Sequence, residues 1–254
     1  NNRFWHSMSI LFISDLHLRP DQPEFIENTV EFLNVNSKDI DALYILGDLF
    51  NTWLGDDIVP NEFNVLITAL SRISQSGVKC YLMVGNRDFM VGKIFAQRCG
   101  CELLTDPTIV ELNGHKILLM HGDSLCIDDK SYQRYRRWTR NALLQRCFLA
   151  LSSRYRQGIS DKIKQKSREQ KQFKSAMIMD VNQDEVVRVM QQYQVQYMLH
   201  GHTHRPAIHN LSDDRYRIVL GDWDQHPSYL HYQDGQFHLF DDRVTDDKAT
   251  LTLA

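Results

Sequence analysis

Apolar residues fall along the chain in two alternating patterns. Six short runs, "SILFISD", "LYILGD", "VKCYLMVGN", "KILLMHGD", "QYMLHGH" and "YRIVLGD", read as buried strands, and each ends in a polar cluster containing Asp, Asn or His. Between them the apolar positions return at helical spacing: Ile26, Val30 and Leu33, then Phe63, Leu66, Ile67, Leu70 and Ile73, then Val186, Val187 and Met190. Alternation of strand and helix predicts an α/β fold whose functional groups stand at the carboxyl ends of strands. In the last third, "YRIVLGDW", "SYLHYQ" and "QFHLF" follow one another without helical spacing, which predicts a second, more antiparallel sheet.

Composition narrows the class. With 254 residues and 43% hydrophobic content the chain can bury a full core, as one large α/β domain or one domain with a sizeable insert. Its longest apolar runs are too short or too interrupted to cross a bilayer and none reads as a signal peptide, so a cytoplasmic protein is expected. Five cysteines, odd in number and without paired zinc-type spacing, read as reduced thiols. The opening "NNRFWHS", residues 1–7, resembles a cloning scar ahead of a natural start at Met8.

Charge then divides the chain. Residues 130–175 hold 14 Lys or Arg against two acids, Asp161 and Glu169, while the remainder holds 15 bases against 30 acids. The net charge of −3 conceals that split. Within the basic segment Trp138, Leu144, Phe148 and Leu151 recur at helical spacing, which predicts a basic amphipathic helical cap inserted between core segments 8–129 and 176–254. A charge run is ordinarily a solvated face. An asymmetry this large points instead to an anionic partner, with Arg134, Arg136, Arg137 and Arg140 as its densest cluster.

The strand ends carry the chemistry. "SDLH" supplies Asp15 and His17, "GDLF" supplies Asp48, "GNRD" supplies Asn86, Arg87 and Asp88, "MHGD" supplies His121, and "GHTH" supplies His202 and His204. Imidazoles mixed with carboxylate and amide oxygens, without thiolate, suit a borderline-hard divalent ion such as Mn²⁺, Fe²⁺ or Zn²⁺. Asp88 aside, seven such side chains (Asp15, His17, Asp48, Asn86, His121, His202 and His204) are too many for one ion and suit two ions sharing a carboxylate. Taken singly, an Asp-x-His is most often a strand end and a lone His a core residue. Five strand ends in the order D-x-H, GD, GN, H, GHxH make coincidence a poor explanation. His202 and His204, two apart, are expected on the same side of an extended chain; His200 shares their parity but precedes the glycine and is expected to be buried rather than a ligand.

These motifs, spanning roughly residues 9–222, resemble those of the calcineurin-like metallophosphoesterases. The resemblance implies a four-layer αββα sandwich and two divalent ions, Mn²⁺ being the expected one. It places Asp15, His17, Asp48 and His204 on one ion and Asp48, Asn86, His121 and His202 on the other, with Asp48 bridging. Two such ions carry four positive charges against two from Asp15 and Asp48, leaving a surplus aimed at an anion, and would lower the pKa of a shared water for in-line attack at phosphorus. Where many members carry histidine after the asparagine, this chain has Arg87, which cannot act as a general acid at neutral pH but suits paired donation to phosphate. A leaving group that needs no protonation follows.

The wider stretches "LYILGDLFNTWLGDD", "GNRDFM", "HGDSLCIDD" and "HGHTHRPAIH" are similar to the branch of that family that hydrolyses the pyrophosphate of a nucleotide-linked, acylated sugar in lipid A synthesis. That similarity implies catalytic roles for Asn86, Arg87 and His121, and substrate contacts at Asn86, Arg87, Asp129, Ser167, Lys171, Lys174 and His202. It also implies a cap that receives acyl chains and a protein peripheral to the cytoplasmic face of the inner membrane, with no obligate protein partner. Asp129 has a purely structural alternative as the N-cap of the first cap helix. Two rivals share the motifs: a nuclease or cyclic-nucleotide phosphodiesterase, and a metal-bound scaffold without activity. Leu, Phe and Trp interleaved with the bases favour lipid over nucleic acid, and seven retained ligand candidates disfavour the scaffold.

Overall fold

A computed structural model describes residues 8–171, 180–212, 214–224 and 226–253, with the side chains of 166–171 excepted. The leader expected at residues 1–7 lies outside the described residues, as does the end of the basic segment beyond residue 171.

Two sheets face each other. The first contains the parallel strands β1 (Ser9–Ile13), β2 (Ala42–Leu46), β3 (Lys79–Met83) and β4 (Cys101–Leu104). The second contains β5 (Thr108–Leu112), β6 (His115–Leu119), β7 (Tyr197–His200), β8 (Ala207–Asn210) and β9 (Tyr216–Val219) in the order β5-β6-β7-β9-β8. All six strands read from the sequence are present. The C-terminal hairpin behaves differently from expectation. Strands β10 (Tyr229–Gln233), β11 (Gln236–Phe240) and β12 (Thr250–Thr252) extend the first sheet antiparallel from β1, while "YRIVLGD" forms β9, parallel to β7 in the second. The alternation of β10 and β11 puts Leu230, Tyr232, Phe237 and Leu239 into the space between the sheets, and that face is the same whichever sheet the strands join.

Burial of strands on both faces explains their continuous apolar runs. Phe12, Tyr44 and Leu46 of the first sheet meet Ile117, Leu119, Leu199 and Ile218 of the second. Behind the first sheet pack α1 (Pro23–Asn36), α2 (Asn64–Gln75) and α3 (Lys93–Cys99); behind the second, α7 (Gln183–Tyr193) buries Val186, Val189 and Met190 against Leu118 and Met198. The layers are thus αββα. Between β6 and α7 run α4 (Lys130–Thr139), α5 (Ala142–Leu149) and α6 (Ser153–Lys171), of which α4 and α5 bury no residue completely.

Candidate metal centre

Six strand ends converge at one edge of the sandwich. Asp15 and His17 follow β1, Asp48 follows β2, Asn86 and Arg87 follow β3, His121 follows β6, His202 and His204 follow β7, and Asp222 follows β9. Glycines permit the approach. A Cβ at Gly85 would stand 2.1 Å from Asp48 Oδ1, and one at Gly201 would stand 2.1 Å from Asp15 Oδ2. The "GN" and "GH" signatures therefore leave room for carboxylates.

The backbone at the site is unusual. Asp15, His17, Asp48, His202 and His204 all have φ between 52° and 68°. The left-handed conformation turns each side chain inward from a loop, so His202 and His204 do not sit on an extended chain as expected. Such a φ costs a non-glycine residue about 1–3 kcal/mol.

The candidate ligand atoms gather at two foci. At one, His17 Nε2 lies 3.2 Å from His204 Nε2, and His204 Nε2 lies 3.3 Å from Asp15 Oδ1. At the other, His121 Nε2 and His202 Nδ1 each lie 2.9 Å from Asn86 Oδ1. Asp48 stands between them, with Oδ1 3.8 Å from His121 Nε2 and Oδ2 3.7 Å from His17 Nδ1. The edges of a coordination polyhedron with bonds of about 2.1 Å are about 3.0–3.4 Å, which the 3.2 and 3.3 Å separations at the first focus match and the 2.9 Å separations at the second approach, while the Asp48 oxygens stand farther out at 3.8 and 3.7 Å. Asp15 Oδ1 and His17 Nδ1 are buried without any hydrogen-bond partner, which a cation would supply. The residues present fit two divalent ions.

Electrostatics agree. Burial drives Asp48 up to about 7, helped by Asp88 and Asp15, so the ion-free site resists holding this much negative charge. His121 is held up at about 9 despite its burial, chiefly by Asp48 and Asp15, and His204 at about 10 despite burial, by the neighbouring carboxylates of Asp15 and Asp222. Protons occupy those imidazoles where cations would otherwise neutralise the carboxylates. His17 and His202 are pushed down by burial to about 3 and about 4, leaving neutral rings ready to ligate.

Supporting residues not assigned a role from the sequence fix these groups. Asp88, fully buried, accepts from the backbone N–H groups of Gly85 (2.7 Å), Asp48 (3.2 Å) and Phe50 (3.3 Å), locking two ligand loops together. Asp222 accepts from His204 Nδ1 (3.2 Å), which aims Nε2 into the site. Its signal was the Asp ending "YRIVLGD". His121 Nδ1 donates to Leu46 O (3.0 Å) for the same effect. His200 is buried and outside the ligand set, as anticipated.

The remaining candidates fall around the centre. Arg87 Nη1 donates to Asn51 Oδ1 (3.4 Å), and its backbone N–H donates to Asp48 Oδ1 (2.8 Å). Asp129 caps α4, its Oδ1 accepting from the Tyr132 N–H at 3.0 Å. Ser167 and Lys171 lie on α6 with side chains outside the described residues, and Lys174 lies outside them altogether. The basic cluster turns partly inward, contrary to a uniform anion-facing patch: Arg136 Nε donates to Asp123 (2.9 Å), Arg140 Nη2 to Gly85 O (2.9 Å), and buried Arg156 pairs with Asp57. The helices α4–α6 are thereby fastened over the ligand loops.

A model of the calcineurin-like phosphoesterases matches residues 8–206. The chain belongs to that family. Within these phosphoesterases it is 44% identical to a UDP-2,3-diacylglucosamine hydrolase of Nitrosococcus oceani, over 94% of this chain and 97% of that one. It is 46% identical to the protein of that name from Aliivibrio fischeri, over 91% and 98%. Among solved phosphoesterase structures, a dimetal phosphatase from Danio rerio superposes with a TM-score of 0.55 at 13% identity, covering 97% of this chain and 99% of the other. That likeness bears on the fold alone.

Proposed function

We propose that the protein hydrolyses the pyrophosphate of UDP-2,3-diacylglucosamine to UMP and the acylated sugar 1-phosphate, using two divalent ions, Mn²⁺ by preference, at the cytoplasmic face of the inner membrane. What carries the reading is one conjunction: a complete two-focus ligand set, with arginine beside Asn86, in a chain alike over nine-tenths of its length to hydrolases named for that substrate. Asp15, His17, Asp48 and His204 would hold one ion, and Asp48, Asn86, His121 and His202 the other. Bound there, the ions supply Lewis acidity and lower the pKa of a water.

The chain's own groups do the rest. Arg87 sits where Asn51 and the Asp48 loop orient it, and its guanidinium grips a phosphate of the pyrophosphate. It donates no proton, and none is needed, because a phosphate leaves as a stable anion. Asn86 and His121 complete the reacting end with Arg87. Asp129, His202, Ser167, Lys171 and Lys174 are the further contacts proposed for the sugar half. Helices α4–α6 form the described part of the cap, where Trp138, Leu143 and Tyr155, 68–71% exposed, offer apolar surface to acyl chains and membrane. Among the described residues no helix is long and apolar enough to cross a membrane.

Turnover separates this reading from a nuclease. With Mn²⁺ present, the protein is expected to release UMP from UDP-2,3-diacylglucosamine and to leave single-stranded DNA intact. Cleavage of DNA with no release of UMP would reject the substrate assignment.

A further inference from the structure

A cavity of about 380 Å³ opens beside His204, lined by Asp180, Thr203, His204, Arg205, Arg217 and Arg243 among others. Among the described residues none of α4–α6 lines it. Its wall holds two buried polar atoms without hydrogen-bond partners, Thr203 Oγ1 and Arg217 Nε. Unsatisfied donors that line a cavity are unusual in a folded protein and invite a ligand.

Arg217 is the informative member. On β9, Ile218 enters the core between the sheets, and Arg217 takes the opposite face, paired in register with Met198 of β7 and His209 of β8. It is only 4% exposed. His200 Nδ1 donates to Gly201 O (2.8 Å), so its Nε2 is left to accept from Arg217 Nη1 (3.2 Å). An imidazole that accepts is neutral and is no counter-ion. Arg205 pairs with Asp180, and Arg243 pairs with Asp222 and Asp241 (both 2.7 Å). Arg217 hydrogen-bonds that neutral ring instead, and Asp180, already paired with Arg205, acts on it only at longer range and does not offset its burial; burying a guanidinium so is costly unless an anion joins it. The first histidine of "HGHTH" thus has a use: it holds a buried cation next to the ligands His202 and His204.

We propose that this cavity receives the nucleoside 5′-monophosphate half of the substrate, with Arg217 and Thr203 as its anchoring donors. The proposal rests on the pyrophosphatase reading, since cleavage of a pyrophosphate requires its two halves to diverge from the metal centre. The cap side offers exposed apolar side chains, which suit acyl chains. The cavity sets the guanidinium groups of Arg205, Arg217 and Arg243, a hydroxyl and His209 in a mainly apolar exposed lining, which suits a compact anion bearing a flat base.

Calorimetric titration of the Mn²⁺-loaded full chain with UMP, and separately with the acylated sugar 1-phosphate, tests the assignment. Thr203→Val, nearly isosteric, should weaken UMP by about 10-fold, and Arg217→Met by about 100-fold, the range for losing a neutral and a charged hydrogen bond. Affinity for the acylated sugar phosphate should change by less than about twofold. Arg217→Lys, which keeps the charge, serves if Arg217→Met melts early, and should fall between Arg217→Met and wild type. UMP affinity unchanged in Thr203→Val and in a folded Arg217 variant overturns the proposal, as does an equal loss for both products. If UMP binds with the expected variant pattern but UDP-2,3-diacylglucosamine is not hydrolysed, the substrate reading fails and the nucleotide cavity stands.

Discussion

Asp15, His17, Asp48, His202 and His204 share a left-handed backbone, costly for L residues even though Asp and His enter it more readily than most. The strain is retained because it aims the ligands, and it should be measurable. His17 is the cleanest position, since its Nδ1 lacks a hydrogen-bond partner and φ is 53°. In ion-free protein, His17→Gly should be more stable than His17→Ala by about 1 kcal/mol, because glycine adopts positive φ without penalty. Urea denaturation measures the difference; equal stability would mean the backbone there carries no strain.

Protons at the same residues compete with cations. His204, raised to about 10 by Asp15 and Asp222 against its burial, lies above its unfolded value of 6.5. Its contribution to stability is fully present below pH 6.5 and is lost as pH rises through about 10. His121, raised to about 9, behaves alike with its loss near that pH. Each must shed its proton to ligate, so metal affinity should climb with pH across this window. At pH 8, loading should release about two protons per protein, read from titration heats in buffers of different ionisation enthalpy. Release of none would contradict the charge states given for the site.

At the scale of elements, the insert divides its arginines between two tasks. Arg136, Arg140 and Arg156 fasten α4–α6 to the core through Asp123, Gly85 and Asp57, whereas Arg134, Arg137, Arg146 and Arg154 are exposed. Only the exposed set should govern membrane contact. Changing those four to glutamine should lower sedimentation with phosphatidylglycerol vesicles at low salt, by about 1 kcal/mol for each charge brought near the surface, and the defect should shrink as salt rises. Arg156→Gln should instead loosen the insert and speed its proteolysis without that salt signature. If the wild type does not sediment at low salt, the membrane contact is wrong.

For the molecule as a whole, the sequence was most informative where chemistry and punctuation coincide. Each candidate ligand stands at the end of an apolar run, Asp48, Asn86, His121 and His202 directly beside a glycine, and both the run and the glycine are local signals. What stayed hidden depends on distant partners. Whether β10 pairs with β1 or enters the second sheet leaves its alternation unchanged, so the pattern of Tyr229–Gln233 could not decide it. Asp88 was visible in "GNRD", but its grip on the Asp48 loop appears only when β2 and β3 lie side by side. The inward turn of Arg136 and Arg140 likewise required Asp123 and Gly85 to be near, and no spacing along the chain announces that.

The central claim is that two ions, joined through Asp48, are required for phosphoanhydride hydrolysis. It is tested most directly by stripping the protein with chelator and following UMP release from UDP-2,3-diacylglucosamine as Mn²⁺ is returned, for wild type and Asp48→Ala. Asp48 presents one oxygen to His121 and the other to His17, so its loss should disable both foci at once. The wild-type rate should rise to a plateau at about two equivalents, while folded Asp48→Ala remains near zero throughout. A plateau at one equivalent, or substantial turnover by Asp48→Ala, would contradict the account.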